Sequence, residues 1–144
     1  MDPVEKMMPS GAVLKIMPAP FEQARGLFQA VLKEIRAVEI ISDKLVMDLY
    51  KNLLTSSFSS KEVEKWLWAC MVRCTYNLDG KGDLKIDAST FEPERARGDY
   101  ITVCMEVARV NIDPFAKSLW SEFLNLLPEA TSNSLKPKQE TTSS

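Results

Sequence analysis

Histidine is missing altogether from the 144 residues, and cysteine occurs three times, at Cys70, Cys74 and Cys104. Without imidazole there is no Ser-His-Asp or Cys-His nucleophile pair, no imidazole metal ligand and no side chain that ordinarily titrates near neutrality. Most common hydrolase chemistry is excluded. An odd number of cysteines without regular spacing is not a secreted disulfide framework, which points to a reducing compartment. No stretch approaches the roughly 18 uncharged apolar residues of a membrane span, and Met1 to Ser10 lacks the apolar centre of a signal peptide, so a cytosolic protein is expected. Neither charge sign dominates. With 18 Lys plus Arg against 20 Asp plus Glu, the net charge of −2 offers no global attraction to a phosphate backbone, and nucleic acid is not an expected partner. Glycine is also sparse, at five residues. Gly80-Lys81-Gly82 lacks both the spacing and the following helix of a phosphate-binding loop.

What is present reads as one domain of helices. A chain of this size can bury roughly 68–70% of its unfolded surface, so neither metal nor disulfide is needed merely to fold. Residues 11–17, GAVLKIM, are β-prone and are stopped by Pro18 and Pro20. From Pro20 the apolar residues Phe21, Ala24, Leu27, Phe28, Val31, Leu32 and Ile35 recur at three- and four-residue steps, which predicts a helix over 20–38. Gly26 within it costs roughly 1 kcal/mol relative to alanine, and a partner packed close to the backbone would explain it. Asp43 can cap a second helix over 43–54, with Leu45, Val46, Leu49 and Leu53 on one side. Ser59 and Glu62 form a capping-box pattern for a third helix running to residue 76. Its stripe is Val63, Trp66 or Leu67, Cys70, Met71 and Cys74. Tyr76 to Asp83 reads as a turn, and Leu84 to Asp87 as a short strand that could pair with 11–17. A fourth helix is expected over Asp99–Asn111. Asp113 and Pro114 then open a fifth, carrying Phe115, Leu119, Phe123 and Leu126 and ending at Pro128. Leu27, Val31, Leu67, Cys70, Val103 and Val107, each in the middle of a stripe, are the expected core.

The expected fold class is therefore mainly α: a single helical domain of about five helices over 11–127, with room for a small two-stranded element. Residues 1–10 are read as a flexible N-terminus. Residues 128–144, rich in Ser, Thr, Lys, Glu and Pro, bury too little to offset their ordering entropy and are read as a disordered tail.

Several tempting sites fail on spacing. Asp79, Asp83 and Asp87 invite a calcium loop, but Lys81 and Leu84 stand where a ligand and a glycine are required, and Thr90 replaces the bidentate glutamate. Cys70 and Cys74 share a helix face that Cys104 could approach, yet all three lie in apolar stripes, where thiols behave as small hydrophobes. Glu62/Glu64 and Glu92/Glu94, two residues apart, point to different helix sides. No enzyme activity, cofactor or metal follows. Protein partners are better supported. Seven methionines, Met47 among them, supply adaptable apolar side chains. Trp66 and Trp68 diverge by about 200° on a helix, so both cannot face one core, and Trp68 becomes the candidate interface anchor.

The segments GAVLKIMPAPFEQARGLFQAVLKEI, LWACMVRCTYN, FEPERARGDY and VNIDPFAKSLW, in this order over residues 11–127, resemble tail assembly chaperones of long-tailed bacteriophages. The motifs are Pro20-Phe21, Trp68-Ala69-Cys70 with Arg73, Phe91-Glu92 with Arg97-Gly98-Asp99-Tyr100, and Asn111 with Pro114-Phe115. The resemblance implies a small helical, non-enzymatic protein of the host cell cytoplasm that coats the phage tape measure protein, recruits tail tube protein and is absent from the mature virion. It also implies self-association and a second, longer form made by frameshifting, whose extension contacts the tube. On this reading the partner-binding residues are Trp68, Met47, Arg97, Tyr100, Phe115 and Trp120. The alternative is a helical structural or adaptor component of the tail or head-tail junction.

Overall fold

A computed structural model of the chain describes residues 2–34 and 59–126. Its described elements form an α+β fold rather than a mainly α one. In chain order they are β1 (Val4–Met7), β2 (Val13–Ile16), α1 (Phe21–Glu34), α2 (Lys61–Met71), β3 (Thr75–Asn77), β4 (Leu84–Lys85), a 3-10 turn (Ala88–Phe91) and α3 (Glu94–Asn125). The four strands make one antiparallel sheet in the order β1-β2-β3-β4. The expected helix over 43–54 and the expected tail over 128–144 lie outside the described residues, as does the end of the predicted 20–38 helix.

Each departure from the five-helix expectation has a local cause. The stretch read as a flexible start contains β1, whose Val4 and Lys6 sit opposite Ile16 and Leu14. The connection is a tight turn: Met8 and Ala12 are hydrogen-bonded, and Gly11 takes a φ of 93°, a conformation that glycine alone adopts freely. The helix predicted to reach residue 76 stops at Met71, because Thr75 and Tyr76 suit a pleated surface and pair with Lys15 and Leu14. β3 thereby lies between β2 and β4, so 84–85 pairs with 75–76 instead of with 11–17. The helix cap is Ser60, whose hydroxyl accepts from the Val63 amide at 3.2 Å, so Glu62 is one position too early to reciprocate from Ser59. The two helices expected over 99–111 and 113–126 are one, α3, with Pro114 inside it. A helical proline removes the bond to the carbonyl four residues back and crowds that carbonyl with its ring, at a cost of about 3 kcal/mol. The buried series Val103, Cys104, Val107, Ala108, Ile112 and Ala116 passes through it without a change of phase, so packing holds the helix continuous.

The core lies between the helices and one sheet face. Leu14, Ile16 and Tyr76 point inward from the sheet, while Glu5, Lys15 and Thr75 share the opposite face. α1, α2 and α3 pack on one another, and α3 also lies against β2. All six residues expected in the core, Leu27, Val31, Leu67, Cys70, Val103 and Val107, are fully buried. Gly26 has the close neighbour that its presence in a helix implied: a Cβ there would lie 2.5 Å from ring atoms of Trp66, so the indole of α2 rests directly on the α1 backbone. Among the described residues, no helix is long and apolar enough to cross a membrane.

Candidate partner-binding surface

Two Pro-Phe dipeptides, almost a hundred residues apart in sequence, meet in space. Pro20 fixes the entry of α1, and Phe21 is its first residue; Pro114 and Phe115 lie on α3. Asn111 joins them. Its buried side chain accepts the Ala19 amide at Oδ1 and donates from Nδ2 to the Val107 carbonyl, both at 2.8 Å. Satisfying a buried amide at both ends makes it a rigid joint. Above it Phe115 stacks on Phe28, with ring centroids 5.2 Å apart, and meets Phe21 at 6.0 Å. Phe28 is buried and Phe115 half-buried, but Phe21 is 65% exposed. The Arg25 guanidinium covers one side of the Phe21 ring, 5.2 Å from its centroid. Phe21, Phe115 and Phe28 thus form one contiguous aromatic patch that is partly open to solvent, the kind of feature that marks an interaction surface.

The aromatic group around Trp68 is built differently. Trp68 is half-buried, with Phe91 at 6.1 Å and Tyr100 at 6.3 Å between centroids, and Phe91 meets Tyr100 at 5.1 Å and Tyr76 at 6.0 Å. Beside them Asp99 is buried and takes three hydrogen bonds. Tyr76 OH donates at 2.6 Å and Ser10 Oγ at 2.5 Å to one oxygen, and the Ser10 amide at 3.1 Å to the other. This carboxylate ties the β1–β2 turn and β3 to α3. Burial, with the bond to Asp99 next, pushes the Tyr76 hydroxyl up to about 12. Arg95 adds an outer clasp, donating to both oxygens of Asp79 and to the Ser10 carbonyl. Arg97 braces the corner by donating to the Phe91 and Glu92 carbonyls and to the Glu92 carboxylate.

Burial pushes the Cys70 thiol up to about 12 and those of Cys74 and Cys104 up to about 11, far from the thiolate form that reacts or binds metal. Among the described residues no three carboxylates or thiols are grouped so as to hold a metal ion. Asp79 is held by Arg95, Asp83 accepts from Lys15 and Asn77, and Asp87 caps the 3-10 turn through the Ser89 amide.

Of the residues expected to bind a partner, Phe115 belongs to the open aromatic surface, and Trp120, half-buried, lies further along α3. Trp68 and Tyr100 stand together in the closed cluster, with Arg97 on its rim. Met47 lies outside the described residues. Phe21 and Phe28 were not among the expected partner residues. The repeated Pro-Phe dipeptide was the available signal, but nothing in one sequence says that its two copies converge. No family model, curated protein or solved structure matches this chain.

Proposed function

We propose that this protein is a non-enzymatic tail assembly chaperone of a long-tailed bacteriophage, which holds an apolar segment of the tape measure protein on the surface formed by Phe21 and Phe115. The observation that carries this reading is the exposed Phe21 ring seated on Phe115 and Phe28. An amphipathic client helix would bury its apolar face there and shed the unfavourable contact with water. The motifs behind the resemblance also meet one another, Phe21 with Phe115, Asn111 with Ala19 just before Pro20, and Trp68 with Phe91 and Tyr100, as parts of one architecture would. In this proposal the protein self-associates, acts in the host cytoplasm, leaves before the virion matures and recruits tube protein through a longer frameshifted form.

Co-expression with the tape measure protein of the same phage is the test. The chaperone reading predicts a soluble complex and no copies of this chain in purified particles. Copies retained in particles would replace it with the structural or adaptor component.

A further inference from the structure

A second surface lies away from the Phe21 patch, where the β3–β4 hairpin faces the 3-10 turn. A cleft of about 540 Å³ opens there, with Leu78 and Leu84 among its walls and Lys81 and Lys85 at its border. Leu84 is 62% exposed although it stands opposite Tyr76 on the core-facing side of the sheet. β4 is also an edge strand, with one side unpaired among the described residues.

The charges of the hairpin are unequally used. In the alternating run Asp79, Lys81, Asp83, Lys85, Asp87, the first two carboxylates are committed to Arg95 and Lys15. The third, on the cleft wall, takes the amide and hydroxyl of Ser89 at one oxygen, 2.9 and 2.6 Å away. Lys81 and Lys85 have no ion-pair partner among the described residues. A run that is net acidic in sequence thus presents, once its two ion pairs are set aside, the ammonium groups of Lys81 and Lys85 and the one carboxylate of Asp87 around an exposed leucine, a net positive border.

We propose that this cleft docks a short, extended acidic segment of a partner protein, one that seats an aliphatic side chain against Leu84 and Leu78 and places carboxylates by Lys81 and Lys85. Alternating acidic and aliphatic residues meet both demands, since carboxylates two positions apart fall on one side of an extended chain and the aliphatic residues on the other. The unpaired edge of β4 can take main-chain hydrogen bonds from such a segment. The proposal does not depend on the tail-chaperone reading.

Full-length protein labelled with nitrogen-15 is titrated with a blocked DLDLD peptide, with KLKLK and with inorganic phosphate, following amide shifts. DLDLD should produce saturable shifts at Lys81, Leu84 and Lys85, and KLKLK should bind about tenfold or more weakly, as expected for charge-selected partners. Added salt should weaken the DLDLD response, since these lysines are exposed and screened. The Lys81→Glu, Lys85→Glu double variant should reverse the peptide preference, and Leu84→Ser should weaken DLDLD without unfolding the domain. Equal response to both peptides, saturation by phosphate alone at the same residues, or shifts that track protein concentration without any peptide would each overturn the proposal. All these variants leave Phe21 and Phe115 intact, so tape measure solubility still reports separately on the chaperone reading.

Discussion

α3 carries an aromatic group near each end, around Tyr100 and around Phe115, roughly four helical turns apart, and the two are finished in opposite ways. Around Tyr100 the rings of Trp68, Phe91 and Tyr76 pack on one another, and two strong polar groups beside them are fully engaged: Asp99 takes three hydrogen bonds and Arg95 makes three. Around Phe115 a single buried amide, Asn111, locks the backbone, and the ring that completes the stack is left 65% exposed. The first arrangement spends its contacts on holding β1, β3 and α3 together. The second is held underneath by the Asn111 joint and the Phe28–Phe115 stack but is incomplete on top, which is what a preorganised partner surface requires.

Removing the pin of the closed end should have the largest effect. Asp99→Ala strands the buried Tyr76 hydroxyl without its acceptor, at roughly 1–3 kcal/mol, and frees the half-buried Ser10 hydroxyl and amide at a smaller cost, so the loss should be about 2–4 kcal/mol in denaturant unfolding. Asp99→Asn, which keeps an acceptor oxygen, should cost less. A loss below about 1 kcal/mol for the alanine variant would mean that the closed end does not hold the fold.

A smaller effect is expected at the contact of α1 with α2, between the two ends. Gly26→Ala gains up to about 1 kcal/mol of helix propensity, but the added methyl must displace the Trp66 indole, an overpacking cost of roughly 1–3 kcal/mol. A net destabilisation of up to about 2 kcal/mol follows, with altered tryptophan fluorescence. Trp66→Leu in the same chain should remove most of that penalty, because the two sites couple directly. A fully stabilising Gly26→Ala would contradict the close approach.

Alkali should act on the buried thiols at the core and closed end. Unfolded cysteines lose their protons near 9.0, whereas folded Cys70, Cys74 and Cys104 hold theirs up to about 12, 11 and 11. The folded state therefore binds more protons in that interval. Its stability is undiminished below pH 9 and falls as pH rises toward 11 to 12. Denaturant midpoints at neutral pH and at about pH 10 should show the drop; an unchanged midpoint would contradict the burial. Least of all should follow from Arg95→Lys, which loosens an exposed clasp and should cost within about 1 kcal/mol.

The helical half of the molecule was legible from three- and four-residue periodicity, because α1 and α2 bury a stripe that begins close to where the pattern does, although α2 stops at Met71 where the pattern runs on to Cys74. The sheet was not. Its strands run from two to four residues, too short for alternation to declare itself, and β1 is exposed at Glu5, Lys6 and Met7 so that it carries almost no apolar signal. The readable trace of the first hairpin is Pro9-Ser10-Gly11, turn residues directly before a β-prone run, in a stretch expected to be flexible. Asp113-Pro114 misled for a different reason: it has the chemistry of a helix start, yet the stripe on either side stays in phase, and tertiary packing outweighed the local preference. At the candidate site, Phe115 was singled out but Phe21 was not, since convergence of two distant dipeptides depends on the Ala19–Asn111 bond, which no local pattern encodes.

Phe21→Ala tests the central claim most directly, measured for denaturant midpoint and for the amount of tape measure protein kept soluble on co-expression. The ring is mostly exposed, so unfolding free energy should fall by no more than about 1 kcal/mol. Anchor residues at interfaces cost about 2 kcal/mol or more when truncated, so the soluble client should drop by about tenfold or more. If the soluble client is unchanged, or if the variant unfolds as readily as Asp99→Ala, the open end is not a partner surface and the contrast between the two ends of α3 fails.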